Sequence, residues 1–281
     1  MSDDVDPKIR ASRDLLSSLA SRRGFLRVGA TITAAGAGLA AFPTLASALG
    51  TGYTPDSVQT ILDIARTAEQ LAVTFYTNGI RNARALGLNR TEVVYLKAAL
   101  IEEQIHQTFF TTATGNSLVD TFSFPRGGDT FSDLGAFIAT QQQLEGVFDS
   151  AFLCAVRQFA EMTGQARLAQ ISAQIALIES EHRVLGRDIA ASHGIKVLPA
   201  PSAGLTTEPA DNWAYAPVIL TSVGQAPSVV AAAGYFSPNA AVGNSFKYVQ
   251  VHFDGTGDDD LGLEPVADKI LYKDGPFSAR P

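Results

Sequence analysis

Three ionisable positions in this chain occur twice at one fixed displacement: Glu69, Glu103 and His106 recur 76 residues later as Glu145, Glu179 and His182. No other feature constrains the fold as much, because the repeat requires two copies of one helical arrangement to face each other. A Glu on one helix, then Glu-x-x-His on the next, repeated over four helices, is a ligand set with which bundles hold two metal ions.

The surrounding residues are patterned for helices. Leu96, Ala99, Glu103, His106 and Phe110 follow one another at steps of three and four, which places them on a single face. Leu62, Ala65, Glu69, Ala72 and Tyr76 do the same, as do Ile138, Glu145, Phe148, Phe152 and Phe159, and Ile175, Glu179, His182 and Ile189. All six ionisable groups therefore sit in apolar stripes. A buried unpaired charge loses hydration worth several kcal/mol or more, so six on four inward faces require compensation. Two divalent cations supply it, since four carboxylates and two neutral imidazoles bring roughly the charge that they cancel. Glu102 and Glu181 adjoin the motifs but turn onto other faces, as exposed carboxylates or as neighbours of the ligands. Tyr76 lies on the Glu69 face, and packing is its expected role.

Punctuation sets the connections. Pro55 and Asp56 open helix one, Leu86-Gly87-Leu88-Asn89 turns tightly into helix two, and Gly164 marks a short turn between helix three, expected over 130–162, and helix four. Residues 115–129, with Pro125, Gly127 and Gly128, are long enough to run the length of a bundle. The 76-residue offset then means two antiparallel hairpins about a pseudo-twofold axis.

Ser21-Arg22-Arg23-Gly24-Phe25-Leu26-Arg27 resembles a twin-arginine export signal. An apolar stretch over 28–42 follows, then Pro43 and an Ala46-Ser47-Ala48 cleavage site. The stretch is shorter than the ~20 residues a membrane span needs. Residues 1–48 are thus expected to be a signal peptide, and the mature chain to reside in the periplasm, cell wall or extracellular space. Net charge is −7, and residues 1–48 hold six Lys or Arg against four Asp, so the mature chain is more acidic still. That argues against nucleic acid as a partner. Cys154 is the only cysteine, which excludes an intramolecular disulfide and any Cys-x-x-Cys metal module.

Residues 57–193 resemble the ferritin-like superfamily, and within it the secreted ferritin-like domain of bacterial proteins and plant desiccation-related proteins. The resemblance rests on Ala68-Glu69-Gln70 ahead of Phe75-Tyr76, on Glu103-Gln104-Ile105-His106, on Leu144-Glu145, and on Glu179-Ser180-Glu181-His182. It implies an all-α, antiparallel four-helix ferritin-like bundle with one long crossover over 49–195, and an irregular C-terminal extension over 196–281. It also implies two iron ions, with manganese as the alternative, bridged by Glu103 and Glu179 and capped by Glu69 and Glu145. Oxygen or peroxide would be the reactant. Manganese catalase, whose related site is less symmetrical, fits the complete set of six less well. The lack of four further cysteines sets the chain apart from a typical rubrerythrin.

Within the extension a short helix is expected near 228–233, opened by Pro227, and strand propensity over 247–253. The acidic run 254–260 lacks the spacing of a calcium loop and reads as a solvated turn. Trp213, Tyr215 and Tyr235 either pack the extension on the bundle or serve a homo-oligomer contact. Three functions stay open at this level: an exported di-metal oxidoreductase, metal binding without turnover, and a stress-protective protein stabilised by its ions.

Overall fold

A computed structural model describes residues 55–195, 220–253 and 260–270. The twin-arginine leader, Trp213, Tyr215 and most of the acidic run fall outside the described residues. Four long helices dominate: α1 (Val58–Arg81), α2 (Arg90–Thr112), α3 (Leu134–Glu161) and α4 (Ala166–Ser192). α1 packs chiefly on α2 and α3 on α4, and the two hairpins then meet through α1 with α3 and α2 with α4. This is the expected all-α four-helix bundle. None of the helices among the described residues is long and apolar enough to cross a membrane.

Local chemistry sets the helix ends. Ser57 caps α1, its hydroxyl accepting from the Thr60 amide at 3.1 Å. Asn89 opens α2 with a capping box: its side chain accepts from the amides of Thr91 (2.8 Å) and Glu92 (3.1 Å), while Glu92 Oε2 accepts from the Asn89 amide at 2.8 Å. α3 begins four residues later than its pattern suggests. Residues Gly127–Phe131 wind as a 3-10 turn, and Asp133 then takes the cap position, accepting from the Ala136 amide at 2.6 Å. Gly164, at φ +80°, makes the turn into α4.

The crossover is stitched to α1 by polar groups one turn apart. Asp63 Oδ1 accepts from the Asn116 amide at 2.6 Å, Thr67 Oγ1 from the Leu118 amide at 2.9 Å, and Gln70 Oε1 from the Ser117 hydroxyl at 2.5 Å. Arg66 donates to the Gly115 carbonyl at 2.7 Å. One face of α1 thus serves the site and another holds the connection.

The extension lies against the crossover and α3. β1 (Thr121–Phe122) pairs antiparallel with β2 (Phe246–Lys247). The strand propensity expected over 247–253 is realised only at Lys247: β2 begins one residue earlier, at Phe246, and residues 248–253 form no strand, although the Tyr248 amide still donates to the Asp120 carbonyl at 2.7 Å. The short helix appears as α5 (Ala226–Ala232), with Pro227 in its first turn. α6 (Glu264–Ile270) packs on α2. Tyr235 is buried, donates to Gln143 Oε1 at 2.7 Å and meets Phe124 edge-on. Cys154 is buried in α3, where its thiol, which burial pushes up to about 11, donates to the Leu220 carbonyl at 3.0 Å.

Candidate metal centre

All four stripes point inward as their spacing requires, and the bundle brings the six predicted residues together. Glu69, Glu103, Glu179 and His182 are 0 % exposed and Glu145 1 %. His106 is the most open of the six, with 11 % of its side chain in contact with solvent. The ligand atoms of Glu69, Glu103, His106 and Glu179 lie within 4.8 Å of one another, as do those of Glu103, Glu145, Glu179 and His182.

The two groups share Glu103 and Glu179, and those carboxylates divide their oxygens. Glu103 Oε2 stands 3.6 Å from His106 Nδ1 while its Oε1 stands 3.0 Å from His182 Nδ1. Glu179 Oε1 stands 3.8 Å from His106 Nδ1 while its Oε2 stands 3.4 Å from His182 Nδ1. Glu69 Oε2 adjoins His106 Nδ1 at 3.7 Å, and Glu145 Oε1 adjoins His182 Nδ1 at 3.7 Å. Glu69 and Glu145 thus belong to one group each.

These atoms fit divalent cations on two counts. Both oxygens of Glu69, Glu103 and Glu179, Oε2 of Glu145, and Nδ1 of His106 and His182 are buried with no hydrogen-bond partner among the described residues. Orphaned buried groups of this kind are rare in folded proteins unless something else satisfies them. The donor set, carboxylate oxygen with imidazole nitrogen, suits first-row divalent ions such as iron or manganese.

The electrostatics agree. Burial pushes the Glu69 carboxyl well above the usual carboxylate range, with Glu103 and Glu179 adding repulsion. Burial and Glu179 do the same to Glu145, and burial with Glu103 raises Glu179. Glu103 goes the other way: burial opposes its charge, yet the imidazoles of His106 and His182 hold it below the usual range. Burial also opposes charge on His182, and Glu102, Glu103 and Glu179 nevertheless raise its imidazole well above the ordinary value. A cluster with these shifts draws in positive charge, as protons or as cations.

Around the site the structure assigns partners that spacing alone does not. Glu102, half-buried, holds His182 Nε2 at 2.9 Å, whereas Glu181 is exposed. Tyr76 is more than a packing residue: its hydroxyl donates to Glu145 Oε1 across the hairpin interface. Burial and Glu145 push that phenol well above its ordinary value, which keeps it a donor. Gln141, which the sequence reading passes over, donates to the Tyr76 hydroxyl at 3.2 Å and to the His182 carbonyl at 2.6 Å. Its position four residues before Glu145 on the same stripe was the available signal. Arg183, beside His182, pairs with buried Asp149 at 2.8 Å. An apolar cavity of about 40 Å³ lies between α1, α3 and α5, with Ala65, Ala68, Phe148 and Phe152 among its lining.

Fold and site together define a four-helix bundle carrying a paired carboxylate and imidazole cluster at its centre. Residues 57–191 match the family model of the ferritin-like domain, and the four-helix bundle agrees with that match. The match runs from the cap of α1 to the last turn of α4. Comparison with curated proteins and with solved structures returned no match.

Proposed function

We propose that this protein is an exported ferritin-like protein whose bundle binds a dinuclear centre of iron, with manganese as the alternative, and supports oxidoreductase chemistry with oxygen or peroxide. The observation that carries the reading is the divided pair Glu103 and Glu179, each presenting one oxygen to each imidazole from a buried position without hydrogen bonds. In this reading Glu103 and Glu179 would be shared by two ions, with Glu69 and His106 available to hold one and Glu145 and His182 to hold the other. When bound, a redox-active pair of ions supplies one-electron steps toward a small oxidant.

The protein's own groups have separate tasks. Burial removes competing water and strengthens electrostatic interactions at the cluster. Glu102 fixes the His182 ring through Nε2, which leaves Nδ1 aimed inward. Tyr76 holds a proton on the oxygen of Glu145 that it contacts, and Gln141 steers the hydroxyl.

A second reading, metal held without turnover in a storage or stress-protective protein, draws support from the same burial, since His106 alone among the six has appreciable contact with solvent. Metal analysis of the purified protein, followed by assays of ferrous oxidation and of peroxide consumption, separates the two. Bound iron with neither activity leaves the second reading. Absence of metal under loading conditions overturns both. Export rests on the arginine pair Arg22 and Arg23; replacing both by Lys is expected to retain the protein in the cytoplasm.

A further inference from the structure

The 76-residue repeat covers the six ligand positions, but four neighbouring positions break it. Glu102 is matched by Ile178, Tyr76 by Phe152, Gln141 by Ala65, and Gly186 by Phe110. Every polar member of these pairs gathers on one half of the centre. Glu102 holds His182 Nε2 at 2.9 Å, Tyr76 donates to Glu145, and Gln141 ties the Tyr76 hydroxyl (3.2 Å) to the His182 carbonyl (2.6 Å). Gly186 makes room for this: a Cβ there would stand 1.7 Å from Gln141 Oε1. The matching residues around the other half are apolar. Phe110 and Phe152 stack at 5.9 Å, and Ala65 and Phe152 line the apolar cavity. Both oxygens of Glu69 and Nδ1 of His106 have no hydrogen-bond partner among the described residues.

On the metal-binding reading above, we infer that the two halves hold a divalent cation unequally. The Glu145 and His182 half takes the first ion, and the Glu69 and His106 half holds the second in an exchangeable state. A carboxylate on the far nitrogen of a ligating imidazole orients the ring and raises its basicity, and removing such a partner weakens metal binding about 10- to 100-fold. Groups already fixed by hydrogen bonds also lose less conformational freedom when an ion arrives. Among the described residues Glu69 and His106 have no such support, and His106 adjoins solvent, which gives the second ion a way out.

Anaerobic titration of the full chain with Mn²⁺, followed by calorimetry, tests the inference. The native chain should bind in two steps. Because Glu103 and Glu179 are shared, repulsion separates two steps even in identical halves, so the variants decide. Glu102→Gln and Tyr76→Phe should each weaken the first step about tenfold and leave the second within about twofold. If the halves were equal, the first ion would move to the unaltered Glu69 and His106 half, and the loss would fall on the second step; that result overturns the inference. Equal weakening of both steps overturns it too. The reciprocal Ile178→Glu, which offers His106 a carboxylate, should tighten the second step, and no change there counts against the inference. A native chain that binds neither Mn²⁺ nor, in the same anaerobic titration, Fe²⁺ refutes the metal reading itself, whereas two ions bound with the wrong variant response refutes only the inequality.

Discussion

Glu103 and Glu179 come from different hairpins, each is followed three residues later by its own histidine, and each turns one oxygen toward its own imidazole and the other toward its counterpart's. Removing one leaves a bridge; removing both leaves each half with a single carboxylate and an imidazole. The Glu103→Ala, Glu179→Ala double variant is therefore expected to fall from about two ions per chain to fewer than one on elemental analysis. Metal content equal to the native protein's would refute the ligand assignment.

The carboxylates and imidazoles of the proposed centre converge only in the folded chain, so ions held there would bind the folded state and not the unfolded one. At free metal one hundred times the dissociation constant, one site adds about 2.7 kcal/mol. For a domain of this size that corresponds to roughly 5–10 °C in melting temperature. Chelation should lower the calorimetric melting point by about that amount, and re-addition of metal should restore it. A melting point indifferent to chelator would mean that the native chain gains nothing from the ions.

What the sequence allowed one to read follows the range of the interactions involved. The bundle and the six inward groups are legible because helical period and ligand spacing are both local: Glu103 and His106 share a face whatever the rest of the chain does. The partners across the interface are not. Tyr76 reads as a packing residue from its stripe, since nothing in helix one says that Glu145 stands opposite. The polar ladder Asp63, Thr67 and Gln70 takes its meaning from a crossover some fifty residues away in sequence. Likewise the run over 248–253 has strand propensity, but only Phe246 and Lys247 find a strand partner, which lies in the crossover more than a hundred residues earlier.

Glu92 ties the start of α2 to the end of α4. Besides capping its own helix, it accepts from the Ser192 hydroxyl at 2.8 Å and from His193 Nε2 at 3.1 Å. Burial opposes its charge, but these donors and the Asn89 amide hold the carboxyl below its ordinary value of 4.5. A depressed folded-state value means that the stabilisation is present above the unfolded value and is lost as pH falls through the folded one. Glu92→Gln should thus cost stability at neutral pH, about 1 kcal/mol as for a lost helix cap. The gap to the native chain should close below about pH 4.5 in denaturant titrations. A gap that widened on acidification would contradict the role given to Glu92.

Gly186 is placed by Gln141, and not by helix propensity. Alanine there would gain about 1 kcal/mol of intrinsic helix preference if the site were open. Instead its Cβ would meet Gln141 Oε1 at 1.7 Å and Cδ at 2.6 Å. The amide cannot swing aside without losing its bonds to Tyr76 and to the His182 carbonyl. Gly186→Ala should therefore destabilise by about 1–3 kcal/mol, the usual cost of overpacking. Adding Gln141→Ala should recover most of it, and additivity in that double-mutant cycle would show that the two positions do not meet.

Arg183 and Asp149 lie on α4 and α3 next to the centre, and their pairing anchors the second hairpin. The guanidinium meets Asp149 Oδ2 at 2.8 Å, and the Ser180 hydroxyl meets Oδ1 at 2.9 Å. Burial nevertheless leaves the Asp149 carboxyl above its ordinary value, despite Arg183 and Ser180 drawing it down. A pair so placed adds little compared with apolar packing, but losing one partner strands the other's charge. Arg183→Met is expected to cost about 3–5 kcal/mol and Arg183→Met with Asp149→Leu far less. The single variant should also loosen His182, whose main chain adjoins Arg183, so its first Mn²⁺-binding step should weaken as its stability falls. Recovery of stability in the double variant without recovery of that step would assign the pair a part in positioning His182 as well as in holding α3 to α4.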